Sequence, residues 1–554
     1  MVTTDTSIVN IMADSYVEYA LATSNRSIMD VVDGLKVSQR RIIQSAFDQR
    51  IWNEGPFKKV TRLEGHCLGS YHPQGGAAST IINLCDPSDF LNPLLEGHGN
   101  LGGVSLDSRQ KISGDGPGAA RYLECKFSKF GQSVFDVDIK YLKTKPNYDG
   151  SLQEVVNFVP ALPLALINGQ SGIGTGWSTN TIGFPVNNVI NAISKVGGTG
   201  IPKALGAPDL PYNTNIIKNN SLVDLHKEGR SSLDLIGEWK IVKKYDSGSR
   251  RNRYREAIII TKLATGHAEQ FIDKVKDAFE AGKIGGIANI IDETSKEIRV
   301  IIVCKSKVKA DNVIPSLLKY TTLSAKFSAK FTLVNGGLPG DYLPEDILNI
   351  WYKARTDVLL VKFNDEKKGA ESRLVIVKGL LQVFPKLREI AMLIMESDTP
   401  EDAKTKIIKK YKVSESTADA ILNIQLKKLT KLSKKELEQE QESLLSEVER
   451  LNSLINNPDI LNKEVIRLAK IAAKFASDRV SEVIDKPTIK RKTRTTKKDD
   501  IVAKAIKKSV VKCPNGKKSP PIGKRAISIA VNKGMSVNDR VKQHTDYWKR
   551  KYSK

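Results

Sequence analysis

DGLKVSQRRIIQSAF, residues 33–47, sets two adjacent arginines in a helical period directly after a tight Asp-Gly break. Upstream, Ile8, Ile11, Met12, Tyr16, Tyr19 and Ala20 recur at helical spacing, so residues 8–50 read as helix, turn and helix. A short helix bearing cations after such a turn has the outline of a DNA-reading helix. Two helices that merely pack together give the same pattern. Residues 55–135 follow, rich in Gly and Pro with short apolar runs, as expected of a small winged domain. Within them GDGPGAARYLE, residues 114–124, puts Tyr122 directly after Arg121 at the end of a glycine-rich, proline-broken loop. Either the ring packs beneath a strand, or the phenol is a nucleophile and the guanidinium grips the phosphate it attacks.

Charge favours a polyanionic partner. The 554 residues carry 87 Lys and Arg against 62 Asp and Glu, a net +25. Residues 486–554 hold 22 of those cations and 4 acids, so +18 of the excess sits in the tail. Such density points first to nucleic acid, with a solubilising tail or a localisation address as the other readings. Five cysteines (Cys67, Cys85, Cys125, Cys304 and Cys513) form no CxxC pair, which suggests neither a zinc site nor a disulfide framework and fits a reducing compartment. The N-terminus has no basic start and no long apolar core, so it does not read as a signal peptide. No run of about 18 apolar residues is present to span a membrane.

Further along, VVNFVPALPLALI (155–167) is apolar and leads into NGQSGIGTGWSTN (168–180). The glycines at 172, 174 and 176 do not fit GxGxxG, which argues against a dinucleotide site. No P-loop occurs, and Asp136 and Asp138 in FDVDIK read as a strand with a polar face rather than a metal site. Residues 236–305 alternate strands with a helix whose face is Phe271, Ile272, Val275 and Phe279, closed by Gly282. Beyond 340 the pattern is helical. SKKELEQEQESLLSEVERLNSLI (433–455) opens with a capping box, Ser433 and Glu436, and carries a coiled-coil or hairpin seam; Asn456-Asn457-Pro458 ends it and a second helix over 462–484 returns.

Several of these stretches together resemble the breakage–reunion subunit of type IIA DNA topoisomerases. SYVEYALATSNRSIMDVVDGLKVSQRRI (15–42), SYHPQGGAAS (70–79), GHGNLGGVSLDS followed by GAARYLE, PNYDGS (146–151), NGQSGIGTGWSTN, FIDKVKDAFEAGKIGGIANIIDETSKEIRVII (271–302) and ADAILNIQLKKLTKL (418–432) occur in family order over about residues 10–485. The GIGTGWST wording is more similar to the eukaryotic and phage branch, and the layout resembles the separate DNA-cleaving subunit of bacteriophage multi-subunit enzymes. That resemblance implies an α+β multidomain chain. Its parts would be a winged-helix, CAP-like cleavage domain (1–150), an α/β tower (151–340) and a long helical coiled-coil dimer gate (341–485); residues 486–554, beyond the matched stretches, read from composition as a disordered or weakly folded basic tail.

The resemblance further implies an ATP-dependent type II topoisomerase. Two copies would cut duplex DNA through a 5′-phosphotyrosyl link on Tyr122, pass a second duplex and reseal. Relaxation or decatenation is the expected output. Mg2+ and ATP would both be bound by a separate partner subunit, and the setting would be cytoplasmic, that of the host for a phage enzyme. Arg121 would stabilise phenolate and phosphorane, with Arg26 and His72 as active-site support. Lys36, Arg40 and Arg41 would contact the DNA backbone, and Ile182 in TNTIGFP would be the wedge between base pairs. Gln74 stands where bacterial enzymes carry a second histidine. The rival readings are a non-catalytic winged-helix DNA-binding or packaging protein, and a relative that cuts without resealing.

Overall fold

The computed structural model describes residues 7–105, 109–246, 254–423, 431–487 and 536–552. The chain divides into two compact units, 1–487 and 488–554.

The first unit is mixed α and β. It opens with helices Ile8–Ser27, Val37–Asp48, Val60–Ser70 and Ala78–Cys85. A three-stranded antiparallel sheet accompanies them, with Glu124–Phe127 between Lys58–Lys59 and Leu95–His98. The break before the second helix needs glycine: Gly34 has φ +65°, and a Cβ there would collide with the backbone of Ala165. Gln39 then accepts the Lys36 N–H at 2.9 Å and starts the helix. Ile42, Ile43 and Ala46 are fully buried, so this face is core and the opposite face carries the polar chemistry.

A six-stranded sheet and a four-stranded sheet follow. The latter is antiparallel, in the order Glu238–Asp246, Tyr254–Lys262, Val300–Cys304, Ile287–Asp292, and packs on helices Ala268–Glu280 and Ala310–Tyr320. The buried stripe of the 268–280 helix is Ala268, Phe271, Val275 and Ala278, whereas Phe279 is 41% exposed. Seven residues make almost two whole turns, so 278 and not 279 falls under 271.

The 40-residue helix Pro344–Val383 takes proline at its first position, where the missing N–H costs nothing. Its inner face fixes the body: Trp351 Nε1 donates to the Pro160 carbonyl at 3.0 Å, and the buried Arg355 reaches Val159 O at 3.0 Å and Asp136 at 2.6 Å. Asp136 therefore neutralises a core arginine. Asp138 caps a 3₁₀ turn over Ile139–Tyr141, and the strand expected there is absent. Helix Lys431–Asn456 lies along the long helix, where Arg373 and Glu440 form a two-pronged pair at 2.7 and 3.1 Å.

Two boundaries differ from the sequence expectation. Ser433 lies inside helix Lys431–Asn456 rather than at its cap. The returning helix is Pro458–Ala473, capped by Asn457, and residues 482–484 instead form a strand parallel to Asn215–Ile217. Residues 424–430, part of the 418–432 motif, lie outside the described residues. Of the tail expected to lack structure, Val537–Tyr552 is helical, while 488–535 and 553–554 lie outside the described residues. No described helix is long and apolar enough to cross a membrane.

Candidate active site

Tyr122 sits in the turn that leads into strand Glu124–Phe127, whose Cys125 and Phe127 are buried in the core together with Leu123. Tyr122 is 65% exposed, and its backbone N–H closes a turn onto Ala119 O at 2.9 Å. The Arg121 guanidinium carbon lies 4.9 Å from the centre of the Tyr122 ring. The approach loop is braced on both sides. Gly103 N–H donates to Asp115 O at 3.0 Å, Gly118 N–H to Asn100 O at 2.9 Å, and Gly114 N–H to Glu269 Oε2 at 3.2 Å. The loop thus carries an accessible phenol and a neighbouring cation, the pair needed to make and stabilise an aryl phosphate.

A second cluster forms where the first two helices meet the HPQG loop and strand Gln153–Val155. Arg26 Nη1 lies 3.4 Å from Gln74 Oε1, and Arg41 Nη1 lies 3.3 Å from His72 Nδ1. Arg41 also grips the buried Glu154 through Nε and Nη2 at 2.8 and 3.1 Å. Burial, then the charges of Arg41 and Arg26, hold the His72 imidazole below its ordinary range, with Glu154 opposing them. Among the described residues no hydrogen bond or ion pair joins this cluster to Arg121 or Tyr122.

The expected DNA contacts need correction. Arg40 is committed to Asp33 at 2.6 and 3.1 Å, and its side chain is only 11% exposed. Asp33 also accepts the Leu35 and Phe158 N–H groups, so the pair closes the turn beneath the helix instead of facing solvent. Arg40→Ala should therefore lower stability by about 3–5 kcal/mol, the cost of stranding a buried charge. Calorimetry should show this while the salt slope of DNA binding stays unchanged. Lys36 donates to the Ser171 carbonyl at 2.6 Å, and burial pulls its pKa down.

Ile182, expected as the wedge, is 1% exposed and packed in the core, not on the surface. Nearby in the same stretch, Ile173 is 83% exposed. It lies in the hairpin of strands Ser171–Gly174 and Trp177–Asn180. Gly172 and Gly174 press that hairpin onto helix Ile8–Ser27: a Cβ on the first would collide with Ser27 O, and one on the second would lie 2.6 Å from Ser24 Oγ. With the glycine face against the helix, Ile173 must face away. Gly172→Ala should lift the hairpin at a cost of about 1–3 kcal/mol. Faster amide exchange across 171–180 is the expected sign, and unchanged protection would contradict it.

Glu154 and Ile173 are not singled out by the sequence reading. The available signals were a lone acid directly before the apolar pair Val155-Val156, and one isoleucine between two glycines in GIG. Among the described residues no three His, Cys, Asp or Glu side chains assemble as a metal cluster. The charged side chain against the phenol ring is the cationic Arg121, which does not fit a metal ligand.

The structure thus sets an exposed phenol beside a guanidinium on a braced loop, and separately gathers Arg26 and Arg41 around His72. Residues 26–469 match the family of the DNA gyrase and topoisomerase IV A subunits, and the chain belongs to that family. It is 30% identical over 489 residues to the DNA gyrase A subunit of Lawsonia intracellularis, covering 85% of this chain and 57% of that protein. With the corresponding gyrase protein of Brachyspira hyodysenteriae it is 30% identical over 495 residues, 87% of this chain and 57% of the relative. With that of Aminobacterium colombiense it is 29% identical over 486 residues, 85% and 58%. The chain thus spans less than two thirds of the length of these relatives.

Proposed function

We propose that this chain is the DNA-cleaving and religating subunit of a type IIA topoisomerase. The observation that carries the reading is Tyr122, outward on its loop with Arg121 against its ring, in a member of the gyrase and topoisomerase IV A-subunit family. The Tyr122 oxygen attacks a backbone phosphorus, the 3′ sugar oxygen leaves, and the 5′ end stays bonded to the tyrosine. Attack by that sugar oxygen reverses the step, so the phosphodiester energy is kept rather than lost to water. A free phenol has a pKa near 10, so the proton must be removed or the anion stabilised. Arg121 supplies an always-charged donor for phenolate and phosphorane alike. Arg26 and His72 bind the scissile phosphate, and Ile173 replaces Ile182 as the wedge that unstacks a base step and bends the cut duplex.

In this reading the first four helices and their small sheet are the winged-helix domain, and the four-stranded sheet with its helices is the tower. The paired long helices lead to a distal dimer gate. Two copies act together, with ATP hydrolysis and the divalent metal on a separate subunit. The GIGTGWST stretch supports a place beside the separate cleaving subunits of phage enzymes. Passing one duplex through a break in another changes linking number, which relaxes and unlinks DNA. With an ATPase partner and Mg2+, the chain should relax supercoiled plasmid and decatenate linked circles. Binding or compaction with no change in linking number would favour the non-catalytic reading. Linear product that never reseals would favour a cutting enzyme.

A further inference from the structure

Glu154 is an acid that the cleavage chemistry leaves without a task. It is 4% exposed, on the short strand Gln153–Val155. Each of its oxygens meets one Arg41 nitrogen, Oε2 at 2.8 Å and Oε1 at 3.1 Å, and Lys145 Nζ lies 3.3 Å from Oε1. A two-pronged bond of this kind fixes both the position and the plane of a guanidinium. The Arg41 nitrogen left over, Nη1, is the one 3.3 Å from His72 Nδ1.

Arginine offers only N–H donors and does not lose its proton in proteins. The nitrogen facing it must therefore accept. A neutral imidazole that accepts at Nδ1 carries its proton on Nε2.

We propose that Glu154 is a positioning residue that, by clamping Arg41, holds His72 neutral with its proton on Nε2, so that the ring presents an N–H donor to a phosphoryl oxygen of the scissile group. The phosphate rests on the cleavage reading above; the tautomer does not. The charged groups facing His72 agree with the assignment. Arg41 comes from helix Val37–Asp48 and Arg26 from helix Ile8–Ser27, and both disfavour a second proton. Glu154, from the strand, is the opposing charge, itself engaged by Arg41 and Lys145. Without the clamp, Arg41 is free to swing, and either ring nitrogen can hold the proton.

The test is nitrogen NMR of the full chain labelled with 15N in histidine rings, the His72 signals being assigned by their loss in His72→Gln. In the wild type at neutral pH, one His72 nitrogen should resonate as an acceptor and the other, coupled to its proton, as a donor, with the donor assigned to Nε2. Glu154→Gln keeps the shape of the side chain and removes its charge. It should draw the two signals toward each other as the tautomers mix. In the complex with the partner subunit, the same variant should slow covalent cleavage by about 10–100-fold, the effect of a misplaced catalytic contact, with the Kd for DNA within about twofold of wild type.

A wild-type proton on Nδ1 overturns the proposal without any variant, so a Glu154→Gln chain that fails to fold does not rescue it. A His72 signal pair unchanged in folded Glu154→Gln overturns it too. If wild type forms no covalent DNA link yet shows the Nε2 tautomer, the cleavage reading falls and so does the phosphate contact, while the clamp on the ring survives. A covalent link together with a proton on Nδ1 sinks this inference alone.

Discussion

Tyr122→Phe should bind duplex DNA within about twofold of wild type and yield no protein-linked DNA at all. The substitution removes one oxygen from a side chain that is 65% exposed and packs no core, so the fold has nothing to lose. It leaves Arg121 and the braced loop in place. The affected step is nucleophilic, and no neighbouring hydroxyl shares the turn that Tyr122 closes on Ala119. Loss of a nucleophile that acts alone removes the covalent route rather than slowing it, so a reduction of about 10⁴-fold or more in strand passage is expected. The assay is plasmid relaxation and denaturant-trapped covalent complex, run beside filter binding. Retained strand passage would contradict the mechanism; lost DNA binding would show that the ring has a structural task.

The two isoleucines provide the second large contrast. Ile182→Ala should destabilise the chain by about 2–5 kcal/mol, because it empties a site that is 1% exposed in the main core. Ile173→Ala should leave stability within about 0.5 kcal/mol, since that side chain is 83% exposed. Its effect should fall on DNA. A wedge recovers an unstacking cost of a few kcal/mol through the contacts that bent DNA makes. Without it, the bend read by end-to-end energy transfer should relax, and the cleaved fraction should drop about tenfold or more. A normal bend in Ile173→Ala, or a lost bend in folded Ile182→Ala, would return the wedge to Ile182.

The difference between these residues shows how far the sequence can be read. Both follow glycine-containing segments, and both are plausible in isolation. What separates them is pairing: the hairpin is glycine-faced against helix Ile8–Ser27, whereas Ile182 is in the core on the segment that meets helix Leu164–Ile167, where Phe184 N–H donates to Leu166 O at 2.8 Å. No local period encodes that. The sequence left both readings of Tyr122 open; its exposure follows from the turn that closes on Ala119, one step before strand Glu124–Phe127 begins.

Arg40 and Arg41 are adjacent and chemically identical, yet one closes a turn on Asp33, seven residues back, and the other reaches Glu154, 113 residues on. A sequence window sees the first only as a charged neighbour and cannot see the second. Helix faces in the 268–280 segment were legible to within one residue, the error being Phe279 for Ala278. The mixed α and β character and the 3.6-residue seams beyond 340 follow from periodicity alone. The end of the Pro458–Ala473 helix did not, because strand 482–484 is drawn off by a distant partner, Asn215–Ile217.

The most direct measurement is mass-spectrometric mapping of the linked nucleotide after the wild-type chain, reconstituted with the proposed metal- and ATP-binding partner, is denatured in mid-reaction on supercoiled DNA. The expected result is a 5′-phosphoryl nucleotide on the peptide containing Arg121 and Tyr122, joined through the phenol oxygen. An adduct on another residue, a 3′-linked nucleotide, or strand passage with no adduct would contradict it.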